Sequence, residues 1–177
     1  MITNEALNYN LINIISRAHI SAPIFTPHFE IMYRTGCRAS ESINRNLWEL
    51  STKDIVILHP LKGNLTRHFY INDLPQSFLT YLFYENNIGY TVNYNKLSYL
   101  FSQLSLYRNI YIGNKASTLH LFRHNHVKLL LKEGYNDMEI KNTLGEKNLK
   151  SAMSYINSTF HTQRQEPLVF DMSPVIR

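Results

Sequence analysis

The chain has 177 residues, 44% of them apolar, and a formal charge of +5 at pH 7. That size and composition are sufficient for one domain with a buried core. Because the sequence has neither an apolar run of about 18 residues nor a signal-peptide pattern at its start, we expect a cytoplasmic protein without a membrane segment. The single cysteine, Cys37, fits no zinc spacing, and we expect it in the core.

The N-terminal third is predicted to be helical. Apolar residues at helical spacing favour a first helix over residues 4–18, with Thr3 as its N-cap. Two short helices follow over residues 28–34 and 39–46. Gly36 lies between them and allows the turn that brings the next residues to a helix start.

A small β-hairpin follows, with strands at 56–58 and 66–71 and a turn around Gly63 and Asn64. Two amphipathic helices come next, one over 74–84 and one carrying Leu97, Leu100, Phe101 and Leu104. The segment RNIYIG is predicted to be a short extended connector. Together these elements predict a mainly α fold with a small antiparallel β-hairpin or sheet, an α+β fold class.

Three helices are predicted near the C-terminus. The first is capped by Ser117 or Thr118 and stops at Gly134; the second begins with a capping box of Asn136 and Glu139 and stops at Gly145. The last begins near Leu149. Its apolar stripe, at i, i+3, i+4 and i+7, consists of Leu149, Ala152, Met153 and Ile156. Tyr155 lies about 120° from that stripe, so we expect it to point away from the core.

Positive charge is concentrated in residues 108–150, which contain eight Lys or Arg and four acidic residues. Such an excess favours a phosphate backbone as partner. His120 and Arg123 lie three residues apart on one predicted helix, so both could grip one phosphate. Considered alone, however, this spacing is more commonly explained by a packed histidine.

The motifs TGCRASE, LKGNLTR, LHLFRH, LLKEG, TLGEKN and MSYI, in this order, resemble the catalytic domain of the tyrosine recombinases, the phage-integrase family. The resemblance spans nearly the whole chain and implies that family's catalytic-domain fold. It implies Arg38 and Arg123 as the active-site arginines and His120 as the partner of Arg123. It also implies Lys62, on the hairpin, as the active-site lysine and Tyr155 as the nucleophile.

Glu146 departs from the family pattern. The family usually has histidine or tryptophan there, and either can donate a hydrogen bond to a phosphate oxygen. An ionised carboxylate can only accept, and it repels phosphate. Three arrangements are open: Glu146 turns outward, is protonated on burial beside DNA, or leaves its role to Lys147.

The resemblance implies attack by Tyr155 on a DNA phosphodiester, with the two arginines neutralising the developing charge. His120 would bind a phosphate oxygen or take the tyrosine proton, and Lys62 would protonate the departing 5′ oxygen. The product is a 3′-phosphotyrosine bond that conserves energy for rejoining. The resemblance implies strand exchange without a metal or another cofactor, and the lack of an acidic cluster typical of a two-metal nuclease agrees with this.

The implied partner is double-stranded DNA, bound by a homo-oligomer, a tetramer, with accessory DNA-bending proteins as further candidates. The predicted phosphate contacts outside the active site are Arg67, Lys115, Lys128, Lys141 and Lys147, although each residue is more often a solvated surface charge. We expect the catalytic domain to begin within the first few residues, a layout that resembles single-domain recombinases such as fimbrial-switch invertases. An element-borne integrase is the alternative within the family.

We predict that the catalytic domain covers residues 1–156 and that residues 157–177 form a C-terminal tail. The tail has an apolar patch at 168–170, which we expect its own domain not to cover fully. The family resemblance implies docking of this tail on a neighbouring protomer, and folding back on its own domain or disorder is an equal alternative. Two other functions stay open. One is a catalytically impaired DNA-binding accessory or regulatory protein, for which Glu146 argues; the other is nicking and resealing of the topoisomerase type.

Overall fold

The computed structural model describes residues 1–61, 63–84 and 92–162, so Lys62 and the patch at 168–170 lie outside the described residues. The α-helices of the described part are α1 Asn4–Ser21, α2 Thr26–Thr35, α3 Ala39–Ile43, α4 Gln76–Phe83, α5 Tyr94–Leu104, α6 His120–Lys132, α7 Asp137–Leu144 and α8 Leu149–Ile156. Its strands are β1 Trp48–Thr52, β2 Ile55–Leu58, β3 Arg67–Tyr70, β4 Ile110–Ile112, β5 Lys115–Ser117 and β6 Phe160–His161. The predicted fold class, mainly α with small antiparallel sheets, is confirmed.

Several local signals for helix ends are confirmed. The Thr3 hydroxyl oxygen accepts a hydrogen bond from the Ala6 N–H at 3.1 Å, and Asn136 and Glu139 form the predicted capping box of α7. Gly36 and Gly145 end α2 and α7 with φ of 63° and 68°, a left-handed conformation that favours glycine. These signals were readable because cap and helix end lie within a few residues of each other.

The start of α6 was predicted wrongly. Neither Ser117 nor Thr118 caps it, since Ser117 ends β5 and the N-cap position is held by Leu119, which makes no side-chain cap. Leu119 is buried in the core. Packing of the preceding β-hairpin therefore decides where α6 begins, in place of a local cap.

The two sheets are more extensive than the single predicted hairpin. β2 and β3 form that hairpin, and β1, which was not predicted, adds to β2 in the order β1-β2-β3. The second sheet has the order β5-β4-β6 and includes the predicted connector RNIYIG as β4. β6 lies at the start of the predicted tail and pairs with β4 of its own chain, and Phe160 also bridges to Ile2.

The buried face of α8 differs from the predicted stripe. Ala152 is buried as expected, but Leu149 is 39% exposed, whereas Tyr155 is only 7% exposed. The prediction that Tyr155 points away from the core is therefore wrong. Its ring packs in a small cluster with Val127, Leu130, Ile140 and Leu144. A tyrosine can be buried in this way where its hydroxyl keeps a hydrogen-bond partner.

The main core lies where α1, α2, α5 and α6 meet. Its aromatic centre is formed by Phe122, whose ring centroid is 5.7 Å from that of Phe29 and 5.9 Å from that of Phe101. Cys37 is buried as expected, and burial raises the pKa of its thiol to about 12. Within the described ranges, the helices lack the combination of length and apolarity needed to cross a membrane.

Candidate active site

Arg38 is positioned by the turn after α2. Gly36 reverses the chain so closely to α6 that a Cβ there would lie 2.7 Å from the Cδ2 atom of His126. Arg38 then takes the N-cap position of α3, and its backbone N–H donates to Glu41 Oε2 at 2.7 Å. Its guanidinium Nη1 donates to Glu41 Oε1 at 3.3 Å. These bonds hold the Arg38 side chain next to the turn, where it is partly exposed.

Arg123, one turn into α6, is 1% exposed and joins three segments of the chain. Its Nη1 donates to the Gly36 carbonyl at 2.7 Å, and its Nη2 donates to the Leu144 carbonyl at 3.0 Å. Nη2 also donates to Glu146 Oε1 at 2.6 Å. Because a guanidinium is planar and its donors are fixed, these bonds fix its orientation.

Glu146 connects the two arginines. The same oxygen, Oε1, accepts from Arg123 Nη2 and, at 2.8 Å, from Arg38 Nη2. The carboxylate is 4% exposed, so the arrangement in which Glu146 turns outward is not the observed one. Lys147, the suggested substitute, is exposed.

Tyr155 meets His120 and Arg123 in the interior of the site. Its hydroxyl lies 3.2 Å from His120 Nε2, and the Arg123 Cζ atom lies 5.2 Å from the centre of its ring. Desolvation, followed by the charges of Arg123 and Arg38, lowers the pKa of His120, although Glu146 acts in the opposite direction. His120 is therefore neutral at pH 7, and a neutral imidazole nitrogen can accept the tyrosine proton.

His124 and Ser158 both contact Tyr155, and neither residue was predicted from the sequence. The His124 ring centroid lies 4.7 Å from that of Tyr155, and its Nδ1 lies 2.9 Å from Ser158 Oγ. Because Ser158 Oγ donates to the Tyr155 carbonyl at 2.7 Å, it accepts from His124, which fixes the Nδ1–H tautomer. His124 directly follows Arg123 in the sequence, but nothing in the local sequence marks Ser158.

Two of the predicted phosphate contacts, Arg67 and Lys128, donate to backbone carbonyls. Arg67 is buried and donates to the Thr35 carbonyl, and burial lowers the pKa of its guanidinium to about 10. Lys128 Nζ donates to the Ile156 carbonyl at 2.6 Å, at the C-terminal end of α8. In this conformation both side chains bind backbone carbonyls of their own chain, and their contact with DNA stays a prediction.

The other predicted phosphate contacts lie nearer the surface. Lys115 on β5 and Lys147 after α7 are exposed, and Lys141 on α7 is half-buried. Lys62, between β2 and β3, lies outside the described residues. The fold thus unites Arg38, His120, Arg123, Glu146 and Tyr155 in one network, and the roles predicted for them stay predictions.

Comparison with known proteins identifies relatives of this fold. A family model described as the phage integrase family matches residues 4–162. Comparison with curated protein sequences gives no match. Among solved structures, the chain resembles the XerH site-specific recombinase in a post-cleavage complex with palindromic difH substrate, with a TM-score of 0.60 and 16% identity over 87% of this chain and 48% of that one.

It also resembles the XerA recombinase, with a TM-score of 0.58 and 17% identity over 84% of this chain and 58% of that one. A pre-cleavage complex of XerH with difH gives a TM-score of 0.58 at 17% identity over 88% and 49% of the two chains. The chain thus spans about half the length of these structures. At such identities the likeness establishes the fold.

Proposed function

This chain belongs to the phage integrase family, and from that premise we propose that it is the catalytic part of a site-specific DNA recombinase, with Tyr155 as the nucleophile. The observation that carries the proposal is the position of the Tyr155 hydroxyl, 3.2 Å from His120 Nε2 on a helix shared with a buried arginine. A phenol beside a neutral imidazole has a proton acceptor within reach. The adjacent guanidiniums supply the positive charge that phosphoryl transfer requires.

In the proposed reaction Tyr155 Oη attacks the phosphorus of a DNA phosphodiester, and the bond from phosphorus to the 5′ oxygen breaks. The tyrosine proton passes to His120 Nε2. The departing 5′ oxygen takes a proton from Lys62, in the role that the family resemblance implies. A 3′-phosphotyrosine bond and a free 5′ hydroxyl result, and attack by a 5′ hydroxyl on that bond rejoins the strand.

Arg38 and Arg123 are the proposed charge-stabilising residues. Negative charge grows on the nonbridging oxygens as the nucleophile approaches, and guanidiniums bind such oxygens in a fixed plane. The orientation of Arg123 is set by the carbonyls of Gly36 and Leu144 before any substrate binds. Such preorganisation is effective because no reorientation is needed during the reaction.

Double-stranded DNA is the proposed partner, since the XerH structures contain difH substrate and residues 108–150 carry excess positive charge. A tetramer, accessory DNA-bending proteins and docking of the C-terminal tail on a neighbouring protomer belong to the same proposal. Phe160 is part of the core of its own chain, so a truncation that tests docking should begin after residue 162. Inversion of a DNA segment is the proposed outcome, with integration as the alternative.

A second candidate function is a DNA-binding accessory protein of the same fold without turnover. One specific observation favours it: the Glu146 carboxylate is bound to both arginines that would hold the phosphate. In this case the protein would bind DNA specifically without forming a covalent bond to it.

The test is adduct formation on a nicked suicide DNA substrate taken from the genomic neighbourhood of the gene. The purified protein should give a slowly migrating, protease-sensitive adduct that carries the 3′ phosphate. Tyr155→Phe should give none, whereas Tyr99→Phe, which alters an exposed tyrosine on α5, should leave the adduct intact. Specific binding to a cleavable site without an adduct would replace the recombinase proposal with the accessory one.

A further inference from the structure

We propose that the Glu146 carboxylate holds the place of a phosphate oxygen between Arg38 and Arg123, so that Glu146 and a bound oxoanion compete for the two guanidiniums. The inference rests on the proposed function in taking the scissile phosphate as the natural competitor. It assigns Glu146 a positioning role: the residue holds both arginines in the free protein and yields them to phosphate.

The geometry of Glu146 is that of a bridging anion. One oxygen, Oε1, lies 2.8 Å from Arg38 Nη2 and 2.6 Å from Arg123 Nη2. Such short distances are typical of charge-assisted hydrogen bonds, which guanidiniums form equally with carboxylate and phosphate oxygens. A nonbridging phosphate oxygen held by the same two nitrogens would occupy the same point.

The two hydrogens of Arg123 Nη2 cannot serve the Leu144 carbonyl, Glu146 and a second anion at once. Its Nη2 carries two hydrogens, and these serve the Leu144 carbonyl and Glu146 Oε1. Its Nη1 already donates to the Gly36 carbonyl. An oxoanion that bridges both arginines through Nη2 must therefore displace Glu146.

Charge balance explains why the free protein keeps a carboxylate here. Arg123 is fully buried, and a buried guanidinium without a counter-charge is strongly destabilising. Glu146 supplies that charge, and Glu41 supplies a second one to Arg38. When phosphate arrives, one anion replaces the other, so the buried arginine is never left unpaired.

The displacement requires only a side-chain rotation. The Glu146 backbone N–H donates to the Lys141 carbonyl at 3.0 Å, and the Gly145 carbonyl accepts from the Leu65 N–H at 2.8 Å, so the loop itself is anchored. Both neighbours in the direction of α8, Lys147 and Asn148, are exposed. A carboxylate that rotates toward them reaches solvent and recovers its hydration.

The test compares thermal unfolding of the full chain in inorganic phosphate and in chloride at matched ionic strength. Glu146→Gln keeps the size of the side chain and removes its charge. We expect it to have a lower midpoint than the wild type in chloride and a clearly larger rise in phosphate. The matched control is Glu49→Gln, which alters an exposed carboxylate paired with His59 and should respond as the wild type does.

An equal phosphate response in the wild type and Glu146→Gln would overturn the inference. If the variant does not fold in chloride, refolding in phosphate decides the question: recovery supports competition, and failure in both salts refutes it. Adding Arg38→Gln to Glu146→Gln should abolish the extra response, because the second guanidinium is then missing. If that response persists, the anion binds elsewhere and the inference fails.

DNA affinity is an independent measurement, because a purely structural role of Glu146 does not predict tighter DNA binding when its charge is removed. In a Tyr155→Phe background, where no covalent bond can form, Glu146→Gln should bind the DNA site about tenfold more tightly, since a like charge is removed from the phosphate position. Equal or weaker binding contradicts the inference. An enlarged phosphate response without any covalent adduct in the active chain would instead refute the proposed function alone.

Discussion

Two buried histidines, His28 and His124, and the half-buried His126 should make the protein sensitive to mild acid. Burial is the main cause that lowers the pKa of His28 from 6.5 to about 4, of His126 to about 4 and of His124 to about 3. His124 contacts Tyr155, and His126 packs against the turn at Gly36, so two of the three lie beside the candidate site. All three are neutral in the folded protein at pH 7.

The sign of the effect follows from these directions. An unfolded histidine binds a proton as pH falls through about 6.5, whereas the buried one does not until pH nears 4 or below, so the unfolded state holds more protons in between. The stability that these residues contribute is therefore present above pH 6.5 and lost as pH falls. At pH 5 the loss is about 2 kcal/mol for each residue and about 6 kcal/mol for the three together. Such a loss is comparable with the whole stability of many domains, roughly 5–15 kcal/mol.

Urea unfolding at pH 7, 6 and 5 measures this loss directly. Ordinary carboxylates titrate mostly below this range, with pKa values of about 4, so the histidines dominate it. Between pH 6 and 5 these three histidines should lower the free energy of unfolding by about 3–4 kcal/mol, which corresponds to nearly three protons. His120, whose pKa is also lowered by burial, should add to this fall. His19→Gln, at an exposed position, should leave the slope unchanged. A slope of less than one proton would show that these histidines are protonated in the folded state, and would refute the reasoning.

Two further predictions concern the loop before α8 and the contacts of the proposed nucleophile, Tyr155. Gly145→Ala should lower the unfolding midpoint more than Gly113→Ala does, because a Cβ at Gly145 would lie 2.7 Å from the Leu65 carbonyl oxygen while nothing lies within 4 Å at Gly113. Both glycines have positive φ, so both substitutions strain the backbone. Equal losses of stability would show that this backbone strain, and not the close contact, causes them. Ser158→Ala removes the hydroxyl between His124 and the Tyr155 carbonyl. It should cost about 1 kcal/mol of stability and slow adduct formation on suicide DNA, and an unchanged rate would exclude a positioning role.

The predictable parts of the fold are those decided within a few residues. The Thr3 cap, the Asn136 capping box and the glycine stops each satisfy the hydrogen-bonding groups of their own helix end, so the sequence contains both partners. Cys37 was placed in the core correctly because it had no competing chemistry. The resemblance also selected residues that the fold brings into one network.

The parts that could not be predicted depend on distant partners. Only Trp48 of β1 is buried, so the strand lacks the alternation of buried and exposed residues that would mark it in the sequence. β1 forms because it pairs with the edge of β2. The predicted α8 stripe is wrong because the two-turn helix lies against α6, where the Tyr155 hydroxyl has His120 Nε2 as its hydrogen-bond partner. Ser158 stabilises Tyr155 through a backbone carbonyl, a contact that leaves no pattern in the sequence.

Glu146 shows how a single contact changes the interpretation of a site. From the sequence, a carboxylate in place of a donor is simply a loss, because it cannot bind phosphate and repels it. In the structure the same carboxylate binds the two groups that the phosphate needs, and one of them, Arg123, is fully buried. An arginine in that position requires a partner anion at all times. The relevant quantity is therefore the difference in affinity of the two guanidiniums for Glu146 and for phosphate. In the proposed function DNA is also held by contacts elsewhere on the surface, so we expect it to displace Glu146 where free phosphate is a weak competitor. The exchange would then be selective for a fully docked backbone.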